Sequence, residues 1–229
     1  DPQSSKIAFP AASQPPSTSS PGWRRAATPI YSDAGRKNMN FVIASQNADG
    51  SWYYSIDSVR DFVDHFHTCF VLKALAKIEQ LTKDQRCTSA IERGVAYYVK
   101  NLFDDRGLPL PFSRAPRMTV YKRELYDYAE CVNVATLLAG RFPELDKRLD
   151  TVLADIMTRW QKSDGSFRAR ELMLGWDNVP MHRWAQSQMF RSLSFLSSQQ
   201  SDASKREVQK LSSPSRASSF DYVRNLRTI

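Results

Sequence analysis

Several features that identify common functional classes are missing from this sequence of 229 residues. No apolar stretch approaches the roughly 18 residues that a membrane-spanning helix needs, and the start lacks the charged and apolar regions of a secretory signal peptide. The formal net charge is +8, but lysine and arginine are scattered and no basic run reaches five residues. A membrane span and nucleic-acid binding are therefore not expected.

Cysteine is also scarce. Cys69, Cys87 and Cys131 form neither a CxxC pair nor an even set, which argues against a disulfide framework. This favours a reducing compartment, and we predict a cytoplasmic location. Because the first residue is Asp1 rather than Met, we expect the chain to be a fragment.

Two polar ends surround a middle that carries the regular apolar pattern. Residues 1–29 are dominated by proline, serine and alanine, and they predict a disordered segment. Residues 199–229 are too polar to bury a face and predict a mostly disordered tail. The folded domain is predicted to occupy residues 30–198.

Apolar stripes in this middle part indicate helices. One stripe follows steps of four, three, four and four residues, as in an amphipathic helix, and consists of Leu145, Leu149, Val152, Ile156 and Trp160. A similar stripe runs from Ile91 to Leu102. Each stripe is followed by a break that contains glycine.

These glycine breaks recur at a nearly constant interval. They read "QNADGSW" (46–52), "FDDRGLP" (103–109) and "QKSDGSF" (161–167), and their glycines lie 57 and then 58 positions apart. A second helix, apolar on more than one face, follows each break. The spacing predicts a repeated helical hairpin, and an array of such hairpins can curve into a toroid. We therefore predict an all-α fold, an incomplete α/α toroid of about three helical hairpins with disordered termini and few strands.

The Asp-Gly pairs favour a structural role for the breaks. Glycine accepts a positive φ and aspartate bonds the local backbone, which is turn chemistry. We therefore interpret Asp49 as a turn residue rather than a general acid or base, and we predict that Gln46 and Trp52 clamp adjacent hairpins.

These motifs resemble known families. "NFVIASQNADGSW" is similar to the QW repeat of the terpenoid-cyclase and prenyltransferase α/α toroids, and "IMTRWQKSDGSF" resembles a variant of it with Phe167 in the Trp position. "DGSWYY", "FVDHFHTCFVLKAL" and "HRWAQSQMFRSL" resemble a bacterial group related to the polysaccharide-biosynthesis protein VpsJ. Members of that group are sometimes labelled prenyltransferase-like or delta-aminolevulinic acid dehydratase, and the latter would require a TIM barrel that helical hairpins cannot supply.

The resemblance implies a role in polysaccharide biosynthesis, but the chain departs from the cyclases and prenyltransferases first in its motifs and second in its size. The acid motif of squalene-type cyclases has no full match, because "DFVD" supplies only Asp61 and Asp64. The zinc ligands of protein prenyltransferases cannot be matched either, and no cofactor or metal is expected. A closed toroid usually has more hairpins, so we expect missing N-terminal repeats or a partner chain to complete it.

The first candidate site is "DHFHT", at the start of an inner helix. Asp64 and His67 share a helix face there, with Lys73 roughly opposite. His67 is the candidate for proton transfer, because histidine ordinarily titrates near neutrality. The alternative is that Asp64 and His67 form a cap and packing pair. His65 and Cys69 could share a side, but they are too few for a closed metal site.

The other two candidate sites begin the next inner helices. Tyr126 and Glu130 lie four apart and could present a phenol and a carboxylate together, so we predict that both are catalytic residues, with His67 and Asp64. Alternatively, the carboxylates pair with Arg123 or Lys122.

The segment "HRWAQ" is predicted to bind substrate. Arg183 and Gln186 could hold a carboxylate, sulfate or sugar hydroxyl, and Trp184 could offer a stacking face. The alternative is an ion pair and a tryptophan packed between helices.

Three functions remain open at this point. The first is a carbohydrate-related protein that acts on or binds an acidic sugar, and if it is an enzyme we expect a lyase, epimerase or hydrolase. The second is an isoprenoid-handling protein, which would require a deeply apolar cavity. The third is a non-catalytic scaffold that binds a glycan or another partner.

Overall fold

The computed structural model of the chain describes residues 29–116 and 118–212. The chain divides into two compact units, Asp1–Asn38 and Met39–Ile229. In the described part of the first unit, Asp33 pairs with Arg36 and Lys37 along one helix. The helical hairpins belong to the second unit.

Helices dominate the described residues. They are α1 (Pro29–Ala44), α2 (His65–Thr82), α3 (Gln85–Asn101), α4 (Leu125–Leu137), α5 (Pro143–Asp155) and α6 (Ser187–Ser212). Two π-helical segments, Ile156–Trp160 and His182–Gln186, extend α5 and lead into α6. The short strands are β1 (Val63–Asp64), β2 (Phe112–Arg114), β3 (Tyr121–Glu124), β4 (Arg170–Leu172) and β5 (Trp176–Asp177).

The helices of the second unit form two layers. In the inner layer, α4 lies between α2 and α6 and packs against both; in the outer layer, α3 packs on α2 and α5 packs on α4. The strands form an antiparallel pair, β1–β2, and an antiparallel sheet in the order β3–β4–β5. The predicted all-α chain of outer and inner helices with few strands is confirmed.

The central helix α4 holds the core together. Every residue from Leu125 to Thr136 is buried, as expected for a helix with apolar residues on more than one face that packs between two neighbours. The Trp160 ring of the outer layer packs 4.7 Å from the ring of Tyr128. Both side chains donate to the carboxylate of Asp155, so the polar atoms inside this contact are satisfied.

The three glycine breaks are the same turn. In each, the amide of the first residue (Asn47, Asp104 or Lys162) donates to the carbonyl four residues later, and the glycine amide donates back to the first carbonyl. The glycines have positive φ angles of 94° at Gly50, 81° at Gly107 and 84° at Gly165. The internal repeat predicted from their spacing is therefore present in the backbone.

The first break is also the predicted clamp. The Gln46 amide donates to the carbonyls of Gly50, 3.0 Å away, and Ala90 on α3, 2.9 Å away. The Trp52 indole donates to the carbonyl of Val42 at 2.9 Å. Asp49 accepts hydrogen bonds from the amide and hydroxyl of Ser51, which confirms its role in the turn.

The predicted C-terminal boundary of the domain falls inside a helix. Helix α6 continues past residue 198 to Ser212, so part of the predicted tail is helical. Residues 1–28 and 213–229 of the segments predicted to be disordered lie outside the described residues. The domain boundaries at 29 and 198 stay predictions.

Candidate functional site

A row of aromatic rings crosses the N-terminal ends of the inner helices. Its members, in spatial order, are Tyr54, His67, Phe66, Tyr126 and Trp184. Successive ring centroids lie 4.8, 4.2, 5.0 and 4.7 Å apart. We call this set the aromatic row. It joins α2, α4 and the π-helical segment before α6, and so unites residues from all three predicted candidate sites.

The ends of the aromatic row are open to solvent. Tyr54 and Trp184 are each 46% exposed, and the His67 side chain is 39% exposed. Tyr126 is buried between them, and Tyr54 is supported from behind by Phe62, stacked at 4.5 Å. The row therefore presents flat, partly exposed rings on a rigid base.

Asp64 holds His67 in the row. Its Oδ1 accepts the His67 backbone amide at 2.9 Å and so caps α2, while its Oδ2 lies 2.5 Å from His67 Nδ1. A neutral imidazole facing a carboxylate carries its proton on the facing nitrogen, which leaves Nε2 as the acceptor. The predicted cap is confirmed, and the same carboxylate also orients the histidine.

His65 and Cys69 lie about one turn apart on α2, and both are fully buried in the core. His65 Nδ1 lies 3.1 Å from the Leu110 carbonyl and its Nε2 lies 2.6 Å from the Tyr98 hydroxyl. Burial lowers the pKa of His65 to about 3, so it is neutral. The Cys69 thiol donates to the same hydroxyl. Within the described residues, no group of three or more His, Cys, Asp or Glu side chains is placed to hold a metal ion.

Tyr126 and Glu130 lie on one face of α4, at different depths. Tyr126 is in the aromatic row, and burial, followed by the nearby charge of Glu130, raises its pKa. Glu130 is fully buried and pairs with Lys73 of α2 and with Arg191 of α6, the latter at 3.0 Å. Its partners are therefore not those of the sequence-based alternative, since Arg123 pairs with Asp104 and Glu171.

Asp127 is a buried carboxyl group without a hydrogen-bond partner among the described residues. Burial is the main cause that raises its pKa well above the ordinary value, and the carboxylates of Glu124, Asp64 and Glu130 add to the effect. The Asp127 carboxyl group therefore stays protonated at pH values well above those at which aspartate ordinarily ionises.

We expect Asp127→Asn to remove a pH-dependent loss of stability. Because the folded-state pKa is raised, the folded chain holds a proton that the unfolded chain has released, and stability falls as pH rises from about 3.9. Asparagine never ionises, so the variant gains stability relative to wild type at each higher pH. Urea unfolding of both proteins at pH 5 and pH 8 measures this gain. A stability difference between Asp127→Asn and wild type that is constant or shrinks as pH rises would contradict the expectation.

The segment "HRWAQ" divides its residues among different roles. Trp184 packs against Tyr126 in the aromatic row. The side-chain amide of Gln186 accepts a hydrogen bond from the Phe167 backbone amide at 3.0 Å and donates one to the Phe167 carbonyl at 2.7 Å. Because both amide atoms are used in this way, we leave Gln186 out of the proposed site. Arg183 lies on the exposed surface of the π-helical segment.

Sequence reasoning missed two cations near the aromatic row. Lys73 was predicted to face away from His67, but it reaches Glu130 and lies 5.1 Å from the ring centroid of Phe70. Arg191 reaches Glu130 from α6. The sequence did contain a signal for the position of Lys73. Phe66, Phe70 and Lys73 follow steps of four and three along α2, which places the lysine on the same helix face as the two rings.

A shallow cavity of about 710 Å³, largely open to solvent, lies beside the β3–β4–β5 sheet. Its lining includes Tyr121, Arg170 and Trp176. Since β3 runs directly into α4, this cavity is at the same end of α4 as the aromatic row. Arg170 is bound to Glu124 at 2.9 and 2.7 Å, so its charge is already neutralised.

Comparisons with known proteins identify the fold. No family model and no curated protein matches the chain. It is similar to the solved structure of cellobiose 2-epimerase from Spirochaeta thermophila, an α/α toroid, with a TM-score of 0.62 and 12% sequence identity. The match covers 81% of this chain and 54% of the epimerase, so the chain spans about half the length of that protein.

The predicted incomplete α/α toroid is thereby confirmed. The resemblance to the VpsJ-related group stays a prediction. In the part of the chain that the structure describes, no helix is both long and apolar enough to cross a membrane.

Proposed function

We propose that this chain is a carbohydrate-related toroid protein that binds a saccharide across the aromatic row. The observation that carries the proposal is the row itself, which has partly exposed rings at its two ends and rings from the starts of α2 and α4 between them. The C–H faces of a sugar ring pack well on aromatic faces, and tyrosine and tryptophan add a polar edge for the hydroxyls.

We assign proton transfer to or from the saccharide to His67. Asp64 fixes its orientation and leaves Nε2 as the acceptor, which suits a general base. Tyr126 keeps its proton at neutral pH, as tyrosine ordinarily does, and burial raises its pKa further, so it serves as a hydrogen-bond donor. We assign Glu130, predicted as a catalytic residue, to holding Lys73 and Arg191 in place.

This arrangement suits a lyase, an epimerase or a hydrolase more than isoprenoid chemistry. Isoprenoid handling requires a deeply apolar cavity, but the turns of α2, α4 and α6 beyond the aromatic row carry charged side chains. The sequence resemblance supports a place in exopolysaccharide biosynthesis. The epimerase neighbour contributes the fold alone.

The exposed rings of the aromatic row provide the test of saccharide binding. We expect Tyr54→Ala and Trp184→Ala each to weaken binding about threefold to tenfold, since a stacking ring contributes about 0.5–1.5 kcal/mol beyond its area. Isothermal titration calorimetry with a panel of neutral and acidic oligosaccharides measures the change.

Tyr53→Ala is the matched control for Tyr54→Ala. Tyr53 is the preceding residue and is 41% exposed, but its ring packs on Arg114 and takes no part in the aromatic row. Its loss should leave saccharide affinity unchanged. Equal weakening by both tyrosine variants, or no weakening by Tyr54→Ala and Trp184→Ala, would count against the proposal.

A further inference from the structure

A charged layer lies directly beyond the aromatic row. It consists of Lys73 on α2, Glu130 on α4 and Arg191 on α6, one residue from each inner helix. Along α4 the step from the row to the layer is one helical turn, from Tyr126 to Glu130. From Trp184 in the row to Arg191 in the layer, the step is seven residues, or about two helical turns.

The charges in this layer do not cancel. Glu130 is fully buried and supplies one negative charge; its Oε2 accepts from Lys73 and its Oε1 accepts from Arg191 at 3.0 Å. Two cations therefore share one carboxylate. The Arg191 side chain is 56% exposed and retains N–H donors beyond the one that Glu130 receives.

The layer and the row are linked through Phe70. The Lys73 ammonium lies 5.1 Å from the Phe70 ring centroid, and that ring lies 6.2 Å from the ring of Tyr126. The charge of Arg191 also acts on Tyr126, where it partly offsets the effects of burial and of Glu130 on the pKa of the phenol. A group attached to a sugar on the row would be close to the excess positive charge.

We infer that the charged layer binds the carboxylate of a saccharide that rests on the aromatic row, so that the ligand class is a saccharide containing uronic acid. This inference rests on the proposed function. The planar guanidinium of Arg191 matches the two oxygens of a carboxylate, and Glu130 holds it in position in advance of binding. Anion recognition is thus assigned to Arg191 and Lys73, and not to Arg183 as the sequence indicated.

The test compares ligands that differ only in charge. Oligomers of galacturonic, glucuronic and mannuronic acid are titrated calorimetrically beside their methyl esters, which keep the ring and lose the carboxylate. The wild-type chain should bind at least one acid about tenfold more tightly than its ester, a preference that weakens at high salt.

Arg191→Gln should remove most of this preference, because it should weaken the binding of the acid much more than that of the ester. Arg183→Gln, which changes another exposed arginine on the segment that carries Trp184, should keep the preference. Arg191→Lys retains the charge without the planar fork and should give an intermediate value. Circular dichroism confirms that each variant is folded.

Each failure has a distinct meaning. Equal binding of acid and ester by the wild-type chain, weakened alike by Trp184→Ala, would overturn the inference and leave the proposed function standing. No binding of any saccharide would overturn both. Loss of the preference in Arg183→Gln but not in Arg191→Gln would overturn the assignment, and tighter binding of a sulfated oligomer than of the carboxylated one would overturn the ligand class.

Discussion

His67→Gln is expected to lower the turnover of the bound saccharide about 10²–10⁴-fold while its affinity stays within about threefold of wild type. The side chain supplies the acceptor Nε2 for proton transfer, and glutamine has no comparable base at that position. Because Asp64 still caps α2 through the backbone amide of residue 67, the variant should remain folded. Steady-state kinetics, with kcat and KM determined separately, measure the loss.

His182→Gln is the matched control for this change. His182 is an exposed histidine at the first position of the π-helical segment, and it takes no part in the aromatic row. Its replacement should leave kcat unchanged. Turnover that survives His67→Gln, or falls equally in both variants, would remove His67 from the proposed chemistry. Saccharide binding by the wild-type chain without any turnover would instead favour a binding scaffold.

Gly50→Ala is expected to destabilise the fold by about 3 kcal/mol, through two effects of comparable size. The positive φ of 94° strains any residue with a Cβ. In addition, a Cβ at this position would lie 2.4 Å from the Arg93 carbonyl oxygen and 2.8 Å from its carbon, which are backbone atoms of α3. Relieving that clash would pull the turn away from α3 and break the clamp that Gln46 makes with Ala90.

Gly165→Ala separates the two effects. Gly165 occupies the same place in the third turn with a φ of 84°, but a Cβ there would meet nothing within 4 Å. We expect this variant to lose only the backbone contribution, about 1–2 kcal/mol. Urea unfolding of both variants gives the contribution of the close approach by subtraction, and equal losses would show that the contact with α3 is unimportant.

The fold was predictable because its signals are local. The recurrence of Gly50, Gly107 and Gly165 reflects a turn that needs a positive φ, and the apolar stripes reflect the helical period. The convergence of His67, Tyr126 and Trp184 followed from topology, since hairpins in an array place their inner-helix starts at one end. Those expectations depended on little beyond the order of the helices.

The parts of the site that were missed depend on nonlocal geometry. Lys73 and Arg191 become neighbours only through the relative heights of α2, α4 and α6, which sequence periodicity does not define. The interpretation of Arg183 and Gln186 as a pair assumed an α-helical spacing of three. The structure has a π-helical segment there, whose wider turn places side chains at different angles, and Gln186 turns to Phe167 instead.

The central claim, that the aromatic row is the saccharide site, is tested most directly by the indole N–H resonances of the tryptophans during a saccharide titration. Of the five tryptophans, Trp184 lies in the row, Trp52 in the glycine turn, Trp160 in the core and Trp176 beside the sheet cavity, and Trp23 lies outside the described residues. Substitution of each tryptophan by phenylalanine assigns the signals. The account predicts that the Trp184 resonance shifts with saturation while those of Trp52, Trp160 and Trp176 stay in place. A shift of Trp176 with Trp184 unmoved would locate the ligand at the sheet cavity and contradict the account.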